Sequence, residues 1–120
     1  HSRILMKLLL LLTLSIFAFA INPSNVTDIQ DLKTNADDIL FLQSSSFECN
    51  LYIEKAGQYL LLMDKAEQSS NLSALSNNYI LFLDNSNRAI AICKEINETV
   101  TNDLIDVQSN IEIYYKLTYK

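Results

Sequence analysis

The two cysteines, Cys49 and Cys93, are the residues of this chain most able to do chemistry. They could form a redox pair, provide a nucleophile, or join in a disulfide bond. Redox pairs are usually close in sequence, as in Cys-x-x-Cys, whereas these two lie 44 positions apart. A nucleophilic thiol needs a base, normally histidine, and the only histidine is His1. The spacing therefore predicts a structural Cys49–Cys93 disulfide in an oxidising compartment.

The other residue types disfavour most catalytic chemistry. With His1 as the only histidine, neither Ser-His-Asp nor Cys-His catalysis nor a histidine-ligated metal is expected. The single glycine, Gly57, cannot form a glycine-rich phosphate loop. The closest carboxylate pairs are Asp37–Asp38, Glu95–Glu98 and Asp103–Asp106. All three fall on expected solvent-facing helix surfaces, so we predict a protein that is not an enzyme, without a metal site or cofactor.

Two stretches are apolar around the whole helix circumference: YLLLM at 59–63 and YILFL at 79–83. Such a helix must be covered on all sides, and incomplete cover leaves a patch for a ligand, a partner or a second copy of the chain. Aromatic residues at helical spacing are otherwise ordinary core. The candidate apolar surface comprises Tyr59, Leu62, Tyr79, Phe82, Tyr114 and Tyr115.

The N-terminal segment has the pattern of a secretory signal peptide. Lys7 supplies positive charge, an apolar stretch follows over residues 8–21, and Ala18-Phe19-Ala20 matches the small-x-small cleavage pattern. The alternative, a membrane-spanning anchor, needs about 20 apolar residues, and this stretch has 14. We therefore expect a secreted, extracellular protein.

This interpretation sets the domain boundaries. Residues 1–5 would precede an initiator Met6, residues 1–20 would be the signal peptide, and residues 21–120 would form one helical domain. Loss of residues 1–20 leaves seven basic against fourteen acidic side chains, a net charge of −7. Such a surface disfavours nucleic acid and anionic membranes. No later apolar run is long enough to predict a membrane span.

Three Asn-x-Ser/Thr sequons begin at Asn25, Asn71 and Asn97. In a secreted eukaryotic chain they are candidate glycosylation sites and hence surface positions. All three coincide with expected helix ends, which favours their exposure.

Apolar residues at steps of three and four predict four helices. The first starts after Pro23, with Ser24 or Asn25 as cap, and runs to Phe41. The second begins with a capping box formed by Ser45 and Glu48 and ends within residues 68–73. The scarcity of glycine and proline is also typical of an all-α protein.

The third and fourth helices contain two weak points. Residues 84–87, Asp-Asn-Ser-Asn, are poor helix formers and could form a loop. The apolar phase continues unbroken through residues 98–102, but one helix over the whole region would be unusually long. We expect a break at 98–102, with Thr101 or Asn102 as the cap of the last helix.

The cysteines fix how the second and third helices pair. If they form an antiparallel hairpin about residue 71, facing residues are equidistant from that position. Cys49 and Cys93 each lie 22 positions from it. This register requires the third helix to continue through residues 84–87, because a loop there would displace Cys93.

The sequence thus predicts an all-α bundle of about four helices around a disulfide-linked antiparallel hairpin. It lacks the cysteine patterns of plant invertase inhibitors and insect odorant-binding proteins, so no family resemblance is inferred. The expected function is secreted, non-enzymatic binding of a small apolar ligand or a protein partner. The alternative is an extracellular inhibitor or effector that binds a target enzyme.

Overall fold

The computed structural model describes residues 30–119, and within this range four α-helices joined by short connections form a bundle. They are α1 at Leu32–Leu40, α2 at Phe47–Gln68, α3 at Leu72–Cys93 and α4 at Glu98–Tyr119. The all-α prediction is confirmed, and no residue in this range forms a strand. The predicted signal peptide and the Asn25 sequon lie outside the described residues.

The hairpin of α2 and α3 is the centre of the fold. Each helix has 22 residues, and the Cys49–Cys93 disulfide joins the start of α2 to the end of α3 with the Cα atoms 5.1 Å apart. Both cysteines are fully buried. The predicted register and disulfide are therefore confirmed.

Residues 84–87 lie within α3, as the cysteine register requires. Asn85 and Ser86 are buried there although both favour turns. Hydrogen bonds make this burial tolerable: Asn85 Nδ2 donates to the Leu81 carbonyl at 2.8 Å, and Ser86 Oγ donates to Gln108 Oε1 on α4 at 2.6 Å.

The first two helices begin later than predicted. Gln30 and Asp31 are not helical, so a single helix from Pro23 to Phe41 is wrong. Asp31 caps α1, because its carboxylate accepts from the Thr34 amide at 2.8 Å. Caps at Ser24 or Asn25 would lie outside the described residues.

The predicted capping box of Ser45 and Glu48 is also wrong. Ser46 is the N-cap of α2, and its hydroxyl accepts from the Cys49 amide at 3.1 Å. Local hydrogen bonds select this serine. Asn50 Oδ1 accepts from the Ser44 backbone N–H, and Asn50 Nδ2 donates to the Ser44 carbonyl. Ser44 Oγ in turn accepts from the Ser46 amide.

The break before α4 lies at residues 94–97, not at 98–102. Asn97 Oδ1 accepts from the Val100 amide at 3.0 Å, so Asn97 and neither Thr101 nor Asn102 caps the helix. Thr101 is buried inside the first turn and donates its hydroxyl to the Asn97 carbonyl. Asparagine is a stronger N-cap than threonine, and a start at Asn97 allows α4 to fold back along α3.

The short helix α1 packs against α2 and α4. It approaches α2 at Gly57, where an added Cβ would lie 2.5 Å from a Leu40 methyl and 3.3 Å from a side-chain carbon of Ile39. The buried glycine in the middle of α2 therefore allows the close approach of α1. Side chains from all four helices form one core, with Leu60, Met63 and Phe82 among those fully buried.

Candidate functional site

The six residues of the candidate apolar surface occupy three different places. Phe82 is fully buried and belongs to the core. Tyr59 and Leu62 lie on the outer side of α2. The three others, Tyr79, Tyr114 and Tyr115, lie where the C-terminal half of α4 meets the hairpin. The stretches 59–63 and 79–83 thus contribute side chains both to the core and to the surface.

A tyrosine cluster joins the C-terminal half of α4 to the hairpin at Tyr79. The rings of Tyr79 on α3 and Tyr115 on α4 are stacked, with centroids 3.9 Å apart and planes at 10°. Tyr119 lies beside this stacked pair, with its ring centroid 5.6 Å from that of Tyr115 and 6.4 Å from that of Tyr114. Tyr115 therefore packs against the hairpin at Tyr79. Stacking of this kind adds to the apolar burial between α3 and α4.

Glu67, near the end of α2, connects this cluster to the rest of the hairpin. The hydroxyls of Tyr114 and Tyr119 both donate to its Oε2 atom. Glu67 was not among the residues predicted from the sequence, because its contacts with residues 47 and 52 positions later depend on where α4 lies. A carboxylate that accepts from two phenols ties α4 to α2.

The environment raises the pKa of the clustered phenols. Burial raises the pKa of Tyr119 to about 12, and its hydrogen bond to Glu67 acts in the same direction. Burial and then the Glu67 hydrogen bond raise the pKa of Tyr114 above the ordinary value of 10. For Tyr79 the pKa is raised by burial, followed by the charge of Glu112. The phenols are therefore neutral at ordinary pH, and Tyr114 and Tyr119 act as hydrogen-bond donors to Glu67, which suits a structural role.

Tyr59 and Leu62 belong to an open stripe on α2. Its members are spaced three and four residues apart, so they share one side of the helix: Leu51, Glu54, Lys55, Gln58, Tyr59 and Leu62. All belong to one helix, which makes the stripe a surface and not a cavity that encloses a ligand. Leu81, also partly exposed, lies on α3. An open surface of this kind, in which apolar and polar side chains alternate, suits a macromolecular partner.

The remaining candidate residues are structural or exposed. Cys49 and Cys93 form the disulfide. Asn71 and Asn97 are the N-cap residues of α3 and α4, which confirms that two of the sequons coincide with helix ends. Within residues 30–119, no group of three or more His, Cys, Asp or Glu side chains could hold a metal ion. In the same range no helix is both long and apolar enough to cross a bilayer.

The described residues thus define a class of protein: a small disulfide-linked all-α bundle. No protein-family model, no curated protein and no solved structure matches the chain. Its function has therefore to be inferred from its own residues.

Proposed function

We propose that this is an exported, non-enzymatic binding protein whose partner is another protein. The supporting observation is the pair of half-exposed leucines on the hairpin, Leu62 at 43% and Leu81 at 40% exposure. Leu62 lies nine positions before residue 71 and Leu81 ten after it, so the disulfide register puts them at similar heights on adjacent helices. A disulfide-linked hairpin is compatible with an extracellular location.

Both leucines lie on the side of the hairpin away from α1 and α4. Leu62 is five positions from Gly57, which contacts α1. Leu81 is five positions from Ser86, which bonds to α4. Five positions rotate a side chain by about 140° around a helix, since each turn takes 3.6 residues. These leucines and Tyr59 therefore form the docking face, which α1 and α4 do not cover.

Side-chain packing favours a protein partner over a small apolar ligand. At the level of the docking face, Leu60, Met63 and Phe82 are fully buried and fill the space between the helices. The α2 stripe, in contrast, is open to solvent. An open surface with exposed apolar side chains matches the interface of a protein complex better than it matches an enclosed ligand pocket.

Charge supports a partner with basic residues. The described residues include thirteen acidic and six basic side chains. Two of the six basic groups, Lys33 and Arg88, are already paired with Asp37 and Asp84 on their own helices. The excess negative charge would accelerate association with a basic surface and make it sensitive to salt.

Capture from extracellular fluid with tagged full-length chain tests the proposal. Leu62→Glu should weaken retention of the partner by about tenfold or more, as expected for an interface hot spot. Ile113→Glu is the matched control, since Ile113 is 40% exposed but lies on α4. Equal retention by wild type and Leu62→Glu would contradict the docking face, and so would equal loss in both variants.

Three further observations separate the alternatives. Native mass spectrometry of exported protein should show no retained apolar ligand, and a stoichiometric lipid would contradict a protein partner as the main ligand. An enzyme inhibited by wild type but not by Leu62→Glu would identify the inhibitor form of the proposal. A homo-oligomer dispersed by Leu62→Glu would make the partner a second copy of the chain.

A further inference from the structure

We infer that Asn71 carries an N-linked glycan while the same side chain caps α3. The sequon Asn71-Leu72-Ser73 begins in the turn between α2 and α3. The inference rests on the proposed export, since glycan transfer occurs in the secretory pathway. It extends the proposed function by fixing which end of the bundle is covered by carbohydrate.

The turn before α3 uses three of the four polar groups of Asn71. Its backbone N–H donates to the Ala66 carbonyl at 2.8 Å, and its carbonyl accepts from the Leu75 amide at 2.9 Å. Its Oδ1 accepts from the Ala74 amide at 3.1 Å, which is the cap. These bonds fix the residue in one orientation.

The fourth polar group, Nδ2, is the atom that receives a glycan. It has no hydrogen-bond partner within residues 30–119, and Asn71 is exposed. Cap and glycan therefore use different atoms of one amide. The left-handed backbone of Ser70, with φ of 57°, contributes to the sharp reversal that places this amide at the end of the bundle.

Glycan transfer needs one co-reactant, an oligosaccharide attached to a lipid pyrophosphate. A bond forms between Asn71 Nδ2 and the anomeric carbon of the sugar. The bond from that carbon to the pyrophosphate oxygen breaks, and the lipid pyrophosphate leaves with the electron pair. Nδ2 gives up one proton, which the departing pyrophosphate takes up, and keeps the other, while Oδ1 remains an acceptor for the Ala74 amide.

The position also accommodates a large substituent. Leu72, the middle residue of the sequon, is 61% exposed, so a sugar attached beside it can cover apolar surface. The glycan would lie at the α2–α3 turn, whereas Leu62 and Leu81 of the docking face lie nine and ten positions away along the two helices. Since each helical residue adds about 1.5 Å, roughly 14 Å of helix separates the glycan from that face.

Peptide mapping of full-length protein expressed in a eukaryotic secretory system tests the modification. Trypsin cleavage after Lys65 and Arg88 gives peptide 66–88, in which Asn71 begins the only sequon. Amidase release of the glycan should convert Asn71 to Asp in this peptide, with the corresponding mass increase. Ser73→Ala should abolish the conversion.

Three variants test whether the cap persists. Asn71→Asp and Ser73→Ala both lose the glycan but retain an N-cap side chain, whereas Asn71→Gln loses both. Asn71→Gln should unfold about 4–8 °C below the other two, the shift expected from loss of a cap in a domain of this size. Glycosylated wild type should unfold no lower than Ser73→Ala.

The outcomes separate this inference from the proposed function. Exported protein with peptide 66–88 unmodified would overturn the inference and leave the docking face untouched. Retention of the protein inside the cell would overturn both. If glycosylated wild type unfolded as low as Asn71→Gln, glycan and cap would be incompatible.

Discussion

Ser86 on α3 donates a 2.6 Å hydrogen bond to Gln108 Oε1 on α4, and Ser86 is fully buried whereas Gln108 is only partly so. The amide of Gln108 in turn donates to Asn87 Oδ1 at 3.1 Å. This pair of helices is thus joined by a polar network beside the apolar core. Because of this difference in burial, removing one partner should cost more free energy of unfolding than removing the other.

We expect Gln108→Leu to destabilise the protein more than Ser86→Ala. Ser86→Ala removes a buried hydroxyl and leaves Gln108 able to reach water, at a cost of about 1 kcal/mol in the free energy of unfolding. Gln108→Leu leaves the Ser86 hydroxyl buried without this partner and should cost about 1–3 kcal/mol. Urea unfolding of both variants provides the comparison. The reverse order would show that the hydrogen bond does not govern this contact.

Loss of the disulfide should lower the free energy of unfolding by about 2–4 kcal/mol, because the bond restricts the unfolded chain. Cys49→Ala with Cys93→Ala removes it and also leaves small buried voids. Chemical reduction of wild type is the matched control, since it breaks the bond without removing the sulfur atoms. Urea midpoints unchanged by either treatment would mean that the hairpin does not depend on this link.

Gly57→Ala should lower the free energy of unfolding in wild type but raise it in a Leu40→Ala background. In wild type, Gly57→Ala places a Cβ 2.5 Å from a Leu40 methyl and should be destabilising, since overpacking costs about 1–3 kcal/mol. In a Leu40→Ala background the two closest contacts, both from Leu40, are gone, and only the 3.3 Å approach to Ile39 remains. The same change should then stabilise α2 by about 1 kcal/mol through helix propensity. A double-mutant cycle by thermal unfolding measures both values, and additive effects would refute the steric account.

Stability should decline at alkaline pH through the tyrosine cluster. An unfolded tyrosine ionises near pH 10, whereas burial and Glu67 raise the pKa of Tyr119 to about 12. Between these values the folded state keeps a proton that the unfolded state releases. The stabilisation that Tyr119 contributes is therefore fully present below pH 10. The free energy of unfolding falls as the pH rises from 10 toward 12.

Glu67→Gln should shift this titration, because it removes the charge that opposes phenolate formation at Tyr114 and Tyr119. Phenolate absorbance during a pH titration should then rise at lower pH than in wild type. Glu112→Gln is the control, as its charge acts on Tyr79. A larger shift from the Glu112 change than from the Glu67 change would contradict the assignment.

Asn97→Ala should reduce the free energy of unfolding by about 1 kcal/mol, and Asn102→Ala should have little effect. Only Asn97 accepts from a free amide at the start of α4, whereas Asn102 is exposed within the helix. Thermal unfolding of protein made without glycosylation avoids interference from the sequon. A larger loss at Asn102 would restore the helix start that the sequence predicts.

The cysteine spacing and the apolar periodicity were sufficient to predict the main architecture. The 22 positions between residue 71 and each cysteine fixed the hairpin register, and that register required residues 84–87 to be helical. These are local or one-dimensional features: a helix repeats every 3.6 residues, and an antiparallel pair is defined by one turn. For the same reason the turn at Asn71 could be predicted, whereas the cap of α4 was predicted four or five positions too late, at Thr101 or Asn102 and not at Asn97.

Only the tertiary structure decided which side chains contact one another and which are buried. Choice among neighbouring caps, Ser45 or Ser46 and Asn97 or Asn102, depends on hydrogen bonds and on how α4 folds back. Glu67 meets Tyr114 and Tyr119 only because α4 lies along the hairpin. Phe82 is core and Leu62 is surface although both lie in equally apolar stretches. Periodicity defines the sides of one helix, whereas burial depends on which sides its neighbours cover.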